Sequence, residues 1–367
     1  MSRTSPRVDS PPANSIHIVK RYGKVGGMER YVWELTHSLA RAGNRVKIVC
    51  REQASALELE PEQLDRIQVH STGYIGPPKP RWINQLRFRR RVDQVLSAIN
   101  TNEWAVHSHE RSLNHDVTTF HSASVRSKPA SLLDRISPRD RTWRRLEAME
   151  LSAPSVQKIF PVSHIIRDTL YELYPECRNR LETPAHPGVG SEFGPIVRTD
   201  NGKSIGFLGV EWRRKGLETL VKSVVKIRQK DPDVRLLVAG CDAASIQHLF
   251  NNWTDGYQLL GWMDAVDFYH RIRLLALPAR VEPFGMVAAE ANACGLPVVV
   301  STQCGIAPLI HPDIGSVVEA GDVSALAEAC ELQLSRTDKP ALLGLSWDTL
   351  AAQYASAYSE VIAKKAG

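Results

Sequence analysis

The chain is poor in the features that announce many protein classes. Its six cysteines (Cys50, Cys177, Cys241, Cys294, Cys304 and Cys330) are scattered and form no Cys-x-x-C pair. That excludes a cysteine zinc knuckle and argues for reduced thiols in a cytosolic protein over a disulfide framework. No apolar run approaches the roughly 18 residues needed to cross a bilayer. The first fourteen residues, MSRTSPRVDSPPAN, hold no apolar stretch, so a secretory leader is not expected and residues 1–14 read as a disordered tail. Acidic residues are scarce in one half only: residues 1–190 carry 29 Lys+Arg against 20 Asp+Glu, and residues 191–367 carry 17 against 20. An anionic partner is therefore expected on the first half. No recognisable nucleic-acid module accompanies that charge, so nucleic acid is not an expected partner.

What the chain does have is a βα rhythm. SIHIV (15–19) reads as a strand, and Met28, Tyr31, Val32, Leu35, Leu39 and Ala42 recur at helical spacing up to Gly43, before the strand RVKIVC. Strand, helix and strand in so short a span make a βαβ unit and a parallel sheet. AVHSH, VTTFH and KIFPVS continue the strands. The proline-rich TPAHPGVG (183–190) interrupts, and the rhythm restarts with SIGFLG, VRLLVAG, YQLLG, LLALPA and PVVVS, with helices between them, among them SIQHLFNNW and AVDFYHRI. Ser346 is a candidate N-cap for a last helix with Trp347, Leu350, Tyr354, Ala357, Tyr358 and Val361 on one stripe. The expectation is two α/β domains joined near residues 183–195, with the terminal helix crossing back onto the first.

The stretch VEPFGMVAAEANACGLPVV sets Glu282 and Glu290 eight residues apart around a glycine turn, directly after the apolar strand LLALPA. Loops at the carboxyl ends of parallel strands are where open α/β sheets bind ligands. Gly285 lets backbone approach a ligand, and the N–H groups of Phe284, Gly285, Met286 and Val287 at the helix start suit an anion or sugar hydroxyls. Glu290, one turn in, can accept from both hydroxyls of a ribose, and Glu282 from hydroxyls nearer a reaction centre. Two acids so placed fit two diols of one elongated ligand such as a nucleotide-sugar. Taken alone, an E-x7-E is far more often an acid on a solvated helix face.

These residues resemble the donor-site signature of the retaining family-4 glycosyltransferases of the GT-B fold. The match runs E-P-F-G-x-V-x-x-E-A-x-A-x-G-x-P-V-V, and other segments follow in order. FLGVEWRRKGLETLV resembles the family's glycine, basic pair and Lys-Gly element, which implies Gly209 beside the donor and Arg214 and Lys215 on its diphosphate. GGMERYVWEL resembles the N-terminal glycine loop, implying Gly26 and Gly27 at the donor as well. SWDTLAAQY resembles the crossover helix. The resemblance covers nearly the whole chain from residue 15, more loosely in the first half, and is nearest to enzymes of lipopolysaccharide core or related envelope glycans. It implies GT-B architecture: two Rossmann-like domains with a donor/acceptor cleft between them. The expected bounds are an acceptor-binding domain at 15–185, a nucleotide-sugar domain at 186–345 and the crossover helix at 346–367.

The chemistry agrees. Expelling a nucleoside diphosphate builds negative charge on the leaving group, where fixed cations and aligned amides stabilise most. The planar fork of Arg214 and the point charge of Lys215 supply two positive charges in place of a metal. No cofactor and no metal are therefore expected. Asp231-Pro232-Asp233 is formally a metal-binding D-x-D, but it sits where Asp and Pro make ordinary turns. Four of the twelve histidines (His107, His109, His115 and His121) fall within fifteen residues. The density invites a zinc reading. The resemblance implies instead that His121 contacts the donor sugar and His109 lies near the acceptor. This chain has His121-Ser122 where many members read His-Asp.

KPRWINQLRFRRRVDQVL packs Arg81, Arg87, Arg89, Arg90 and Arg91 among Trp82, Ile83, Leu86, Phe88, Val92, Val95 and Leu96; RDRTWRRLEAME adds four more arginines. Such a helix either lies on an anionic membrane through Arg87, Arg89, Arg90 and Arg91 or buries its apolar side in the core. The expected activity is hexose transfer from a nucleoside-diphosphate sugar, UDP-sugar favoured and GDP-mannose second, to a glycan or glycolipid acceptor. The expected place is the cytoplasm or the cytoplasmic face of the inner membrane. The rivals are a sugar-nucleotide epimerase and a catalytically altered relative serving as a nucleotide-binding scaffold.

Overall fold

The computed structural model describes residues 13–73, 80–127, 137–196 and 202–367. Most of the expected tail, residues 1–12, and Lys79 of the basic segment lie outside them. Ala13 is already anchored, its N–H donating to Asn44 Oδ1 at 2.9 Å. The chain divides into two compact units. The first comprises Met1–Val162, Ile166–Gly188 and Ser346–Gly367; the second comprises Ser163–Ile165 and Val189–Leu345.

The first unit holds β1 (Ser15–Ile18), β2 (Arg21–Tyr22), β3 (Val46–Cys50), β4 (Glu52–Gln53), β5 (Ile67–Ser71), β6 (Ala105–Ser108), β7 (Val117–Phe120) and β8 (Lys158–Pro161). Its helices are α1 (Gly27–Arg41), α2 (Arg81–Ser97), α3 (Pro138–Ser152) and α4 (His164–Leu173), the last beginning within the second unit's short segment. The sheet is parallel in the order β5-β3-β1-β6-β7-β8, with β2 and β4 forming a separate pair. β1, β6 and β7 are buried along their full length, as parallel strands covered on both faces must be. The chain builds outward from β1 in one direction, then crosses to β6 and builds in the other.

The second unit repeats the plan. β9 (Ser204–Leu208), β10 (Arg235–Ala239), β11 (Tyr257–Gly261), β12 (Leu274–Leu277), β13 (Val298–Ser301) and β14 (Gly315–Val318) lie parallel in the order β11-β10-β9-β12-β13-β14. They alternate with α5 (Leu217–Arg228), α6 (Ala243–Ile246), α7 (Ala265–Tyr269), α8 (Met286–Ala293) and α9 (Val323–Leu334). Here the order reverses between β9 and β12. α10 (Trp347–Ala366) packs with α1 in the first unit; Ser346 Oγ accepts from the Asp348 N–H, and the expected stripe from Trp347 to Val361 is buried.

Two departures from the sequence reading, and the outcome of one reading left open, have physical causes. The helix expected over SIQHLFNNW is one turn of α-helix followed by a 3-10 turn at Gln247–Phe250. Ile246 and Phe250 are drawn into the core, while Asn251 and Asn252 favour turns over helix interior. β5 and β14, absent from the reading, are the edge or outer strands IQVHS and GSVV, whose partial exposure dilutes the apolar signal. The third concerns the basic helix. Phe88, Val92 and Leu96 of α2 pack against Ile16, Ile18, Val49, Trp104 and Val106. Phe88, Val92 and Leu96 thus belong to the core, the second of the two readings of this helix, and nothing among the described residues supports a membrane contact through Arg87, Arg89, Arg90 and Arg91. Of these arginines, Arg89 is itself half-buried. No helix among the described residues is long and apolar enough to cross a membrane.

Candidate active site

In an open parallel sheet, the strands on either side of an order reversal send their following loops to opposite faces, and a crevice opens at their carboxyl ends. In the second unit that point lies between β9 and β12. The loop after β9 carries Gly209, Arg214 and Lys215; the loop after β12 carries Glu282, Phe284 and Gly285. Topology therefore brings together the two motifs that sequence separates by some 70 residues.

Lys215 folds back over Gly209. A Cβ on Gly209 would stand 2.5 Å from Lys215 Cδ, so only glycine admits the lysine there. Gly216 ends the loop at φ +80°, and a Cβ on it would lie 2.0 Å from the Pro278 carbonyl oxygen. The loop is pinned from the other side by the Arg280 N–H, which donates to the Arg214 carbonyl at 2.8 Å. Arg214 Nη1 donates to Glu282 Oε2 at 3.1 Å and to the Val281 carbonyl at 2.5 Å, and its Nη2 pairs with Glu211 at 2.7 Å. Lys215 Nζ stands 3.9 Å from the same Glu282 oxygen. Both cations thus share one carboxylate, which holds them side by side. Glu282 is itself held through its backbone, its N–H donating to the Gln303 carbonyl and its carbonyl accepting from Gly305.

Gly285, at φ +111°, caps α8. The first N–H groups of a helix have no intrahelical acceptor, which places those of Met286 and Val287 at the ligand end of the unit. The Phe284 ring is buried in the core, so it can offer a ligand only its backbone, while the Met286 and Val287 side chains pack against the same cluster and stay partly exposed. Glu290 is 6% exposed. The Tyr269 hydroxyl lies 3.0 Å from Glu290 Oε2 and 3.1 Å from the Val287 carbonyl, and orients the carboxylate by donating to it. Asp231 lies before β10, at the opposite, amino end of the sheet, and is paired with Lys203 at 2.5 Å. The D-x-D is a turn.

In the first unit the reversal falls between β1 and β6. Gly26 and Gly27 follow β1 and open α1, exposed, with the Arg30 N–H donating to the Gly26 carbonyl at 2.8 Å. His109 follows β6 and His121 follows β7. His109 Nδ1 is 2.9 Å from His121 Nε2, and His109 Nε2 is 3.0 Å from Nδ1 of His17, a buried histidine of β1. His107, paired with His17 across the β1–β6 ladder, sits between the Tyr358 hydroxyl at 2.6 Å and Thr119 Oγ1 at 2.8 Å. Thr119 continues to the Tyr354 hydroxyl at 2.5 Å and Tyr354 to that of Tyr31 at 3.0 Å.

His17, His107 and His109 come close enough to hold an ion, their nearest ring nitrogens lying within 4.8 Å of one another. All six of their ring nitrogens nevertheless have protein partners, so hydrogen bonds alone account for the cluster. Burial pushes the imidazoles of His17 and His121 down to about 3. Burial and then the neighbouring histidines hold His107 and His109 well below the ordinary value. At neutral pH these rings are uncharged, so His121 can bond a hydroxyl but cannot neutralise a phosphate. His115 is apart from them, packed between Ser112 and the Glu150 carbonyl.

Two family models match the chain: one described as Glycosyltransferase Family 4 over residues 25–184, and one described as Glycosyl transferases group 1 over residues 202–336. The chain belongs to the family-4 glycosyltransferases. It is 26% identical over 354 residues to a D-inositol 3-phosphate glycosyltransferase of Pseudarthrobacter chlorophenolicus, covering 84% of this chain and 82% of that protein. Among solved structures it is similar to WaaG, a glycosyltransferase involved in lipopolysaccharide biosynthesis, with TM-score 0.73 and 16% identity over 96% of this chain and 98% of that one. It is also similar to HepE of Anabaena in complex with UDP-glucose, with TM-score 0.65 and 15% identity over 96% and 98%. At these identities the two structures bear on the fold, which is GT-B.

The glycosyltransferase takes its sugar from a nucleotide-sugar donor. Several residues that shape its two half-sites escape the sequence reading. His17 is a lone histidine in an apolar strand, and only the β1–β6 register sets it beside His107 and His109. Tyr31, Tyr354 and Tyr358 read as members of apolar stripes, which they are; their hydroxyls are the part that pattern alone does not show. Tyr269 lies 21 residues from the Glu290 it orients, with no local signal linking them.

Proposed function

We propose that the chain transfers a hexose from a nucleoside-diphosphate sugar, UDP-sugar favoured over GDP-mannose, to a hydroxyl of a glycan or glycolipid in envelope polysaccharide synthesis. The transfer retains anomeric configuration and uses no metal. The observation that supports this best is the convergence at one sheet reversal of Arg214, Lys215 and Glu282 with the start of α8 and the buried Glu290. In this reading Arg214 and Lys215 take the diphosphate and stabilise it as it departs. The N–H groups of Met286 and Val287 add to that field, and Gly26 and Gly27 at the start of α1 do so from the first unit. Glu290 accepts from the ribose. Glu282 orients the donor sugar and is not a general base; the departing phosphate assists the incoming hydroxyl on the same face. His121 bonds the sugar and His109 lies toward the acceptor.

Calorimetric titration with UDP, GDP and ADP, each in EDTA and then in magnesium, tests the reading. Binding of one nucleotide in EDTA, lost in Arg214→Ala and Lys215→Ala, is the expected result. Binding only with magnesium overturns metal independence, and no binding overturns the donor site.

A further inference from the structure

The direction of the histidine file in the first unit follows from where its protons can go. Ser15 and His17, both on β1, are fully buried. His17 Nε2 is 3.1 Å from Ser15 Oγ, His17 Nδ1 is 3.0 Å from His109 Nε2, and His109 Nδ1 is 2.9 Å from His121 Nε2. Each ring is neutral at physiological pH because of its burial. Each therefore has one donor and one acceptor nitrogen, and the three bonds must all point the same way.

Suppose they pointed inward. His121 would donate to His109, His109 to His17 and His17 to Ser15 Oγ. The Ser15 hydroxyl hydrogen would then need another acceptor, and among the described residues its side chain bonds His17 alone. A buried hydroxyl would be stranded, which folded proteins avoid. Pointed outward, Ser15 donates to His17 Nε2, His17 Nδ1–H to His109 Nε2, and His109 Nδ1–H to His121 Nε2. Every proton is used. The remaining N–H is that of His121 Nδ1, on a ring that is only half-buried and whose Nδ1 no described residue engages.

We propose that Ser15 and His17 are positioning residues that hold His121 as its Nδ1–H tautomer, so that His121 donates a hydrogen bond to a ligand oxygen and cannot accept a proton from one. Under the proposed function that oxygen is a hydroxyl of the transferred sugar. The acceptor's proton must then leave by another route, which fits its uptake by the departing phosphate. The neutral histidine side chain in water favours the Nε2–H tautomer, so the file imposes a form the side chain would not choose by itself. Replacing Ser15 by alanine would leave one unpartnered group in either direction, a bare His17 Nε2 or a His17 Nε2–H. The bias would vanish with almost no change in volume.

The test is long-range proton–nitrogen correlation on the full-length protein labelled with 15N-histidine, with His121 assigned by its loss in His121→Gln. In the unsubstituted protein, His121 should show a protonated Nδ1 and a bare Nε2. In Ser15→Ala and His17→Leu the Nε2–H form should rise at least tenfold, and kcat should fall about tenfold with the donor KM within twofold. An Nε2–H His121 in the unsubstituted protein overturns the proposal, as does an unchanged tautomer in both variants. A mixed tautomer with unchanged kcat overturns its use in transfer. The spectra need no ligand, so the tautomer assignment stands or falls separately from the nucleotide titration that judges the donor site.

Discussion

Replacing Gly216 by alanine should damage the donor half-site through two separable effects. The residue sits at φ +80°, a region costing an L-amino acid about 1–2 kcal/mol. Its new Cβ would also stand 2.0 Å from the Pro278 carbonyl oxygen, a backbone atom that cannot rotate away. Relieving such a contact by shifting backbone costs about 1–3 kcal/mol more. A total of about 3 kcal/mol corresponds to a fall of roughly 6–12 °C in the melting temperature of a unit this size. The shift would also pull the Arg214 carbonyl from the Arg280 N–H and carry the two cations with it, so nucleotide affinity should fall as well. Gly321→Ala is the control. Gly321 has φ +89° but nothing within 4 Å of its Cβ position, so strain alone acts and the fall should be roughly 2–8 °C, smaller than for Gly216→Ala. Differential scanning calorimetry of both variants, with and without nucleotide, measures each quantity. Equal destabilisation by the two substitutions, or intact nucleotide affinity in Gly216→Ala, would refute the reasoning.

Three further outcomes are expected. Tyr269→Phe should weaken nucleoside-diphosphate binding about 5- to 30-fold, from about 1–2 kcal/mol for the lost bond to Glu290, and leave inorganic diphosphate binding unchanged; parallel titrations of the two ligands decide. Tyr354→Phe removes a hydroxyl bonded to Thr119 and Tyr31. It should destabilise the first unit by about 1–3 kcal/mol and spare the second, seen as a shift confined to one calorimetric transition. The first unit should also be acid-sensitive. Burial lowers His17 and His121 to about 3 and His37 and His115 to about 4, and holds His107 and His109 well below the ordinary value too. Below about pH 6.5 the unfolded chain binds more protons than the folded one, so stability falls with pH, by up to about 1.4 kcal/mol per pH unit for each such group. Glu150, raised by burial to about 8, acts in the other direction, its contribution being lost as pH rises through that value. Melting temperatures between pH 4.5 and 8.5 should therefore peak near 6.5 for the first unit, and a flat profile would contradict the neutral histidine file.

Much of this architecture is legible before any coordinates. Strands such as SIGFLG and LLALPA and the helix of GGMERYVWEL carry periodicities strong enough to set a βα rhythm, and a strand end followed by Glu-Pro-Phe-Gly marks a ligand loop. Pattern is local, and what it misses is non-local. That Arg214 and Lys215 share the Glu282 carboxylate depends on β12 crossing to the far side of β9. That His17 matters depends on a β1–β6 ladder joining residues 90 apart. The reading of α2 stayed open between lipid and core for a related reason. Arginine interleaved with Trp and Phe looks the same whether the apolar side meets lipid or core, and only Ile16, Ile18 and Val106 packed beneath Phe88 decide it.

The return of α10 to the first unit has a consequence for how the chain is made. Gly188 and Trp347 touch in the first unit, and the Val189 N–H meets the Leu345 carbonyl in the second, so the second unit is an insert whose two ends lie side by side. A ribosome finishes that insert before it emits the helix carrying Tyr354 and Tyr358, both of which complete the hydroxyl network around His107. The first unit therefore begins synthesis first and matures last. Through some 160 residues of elongation its central histidines await their partners, while the second unit has everything it needs to fold.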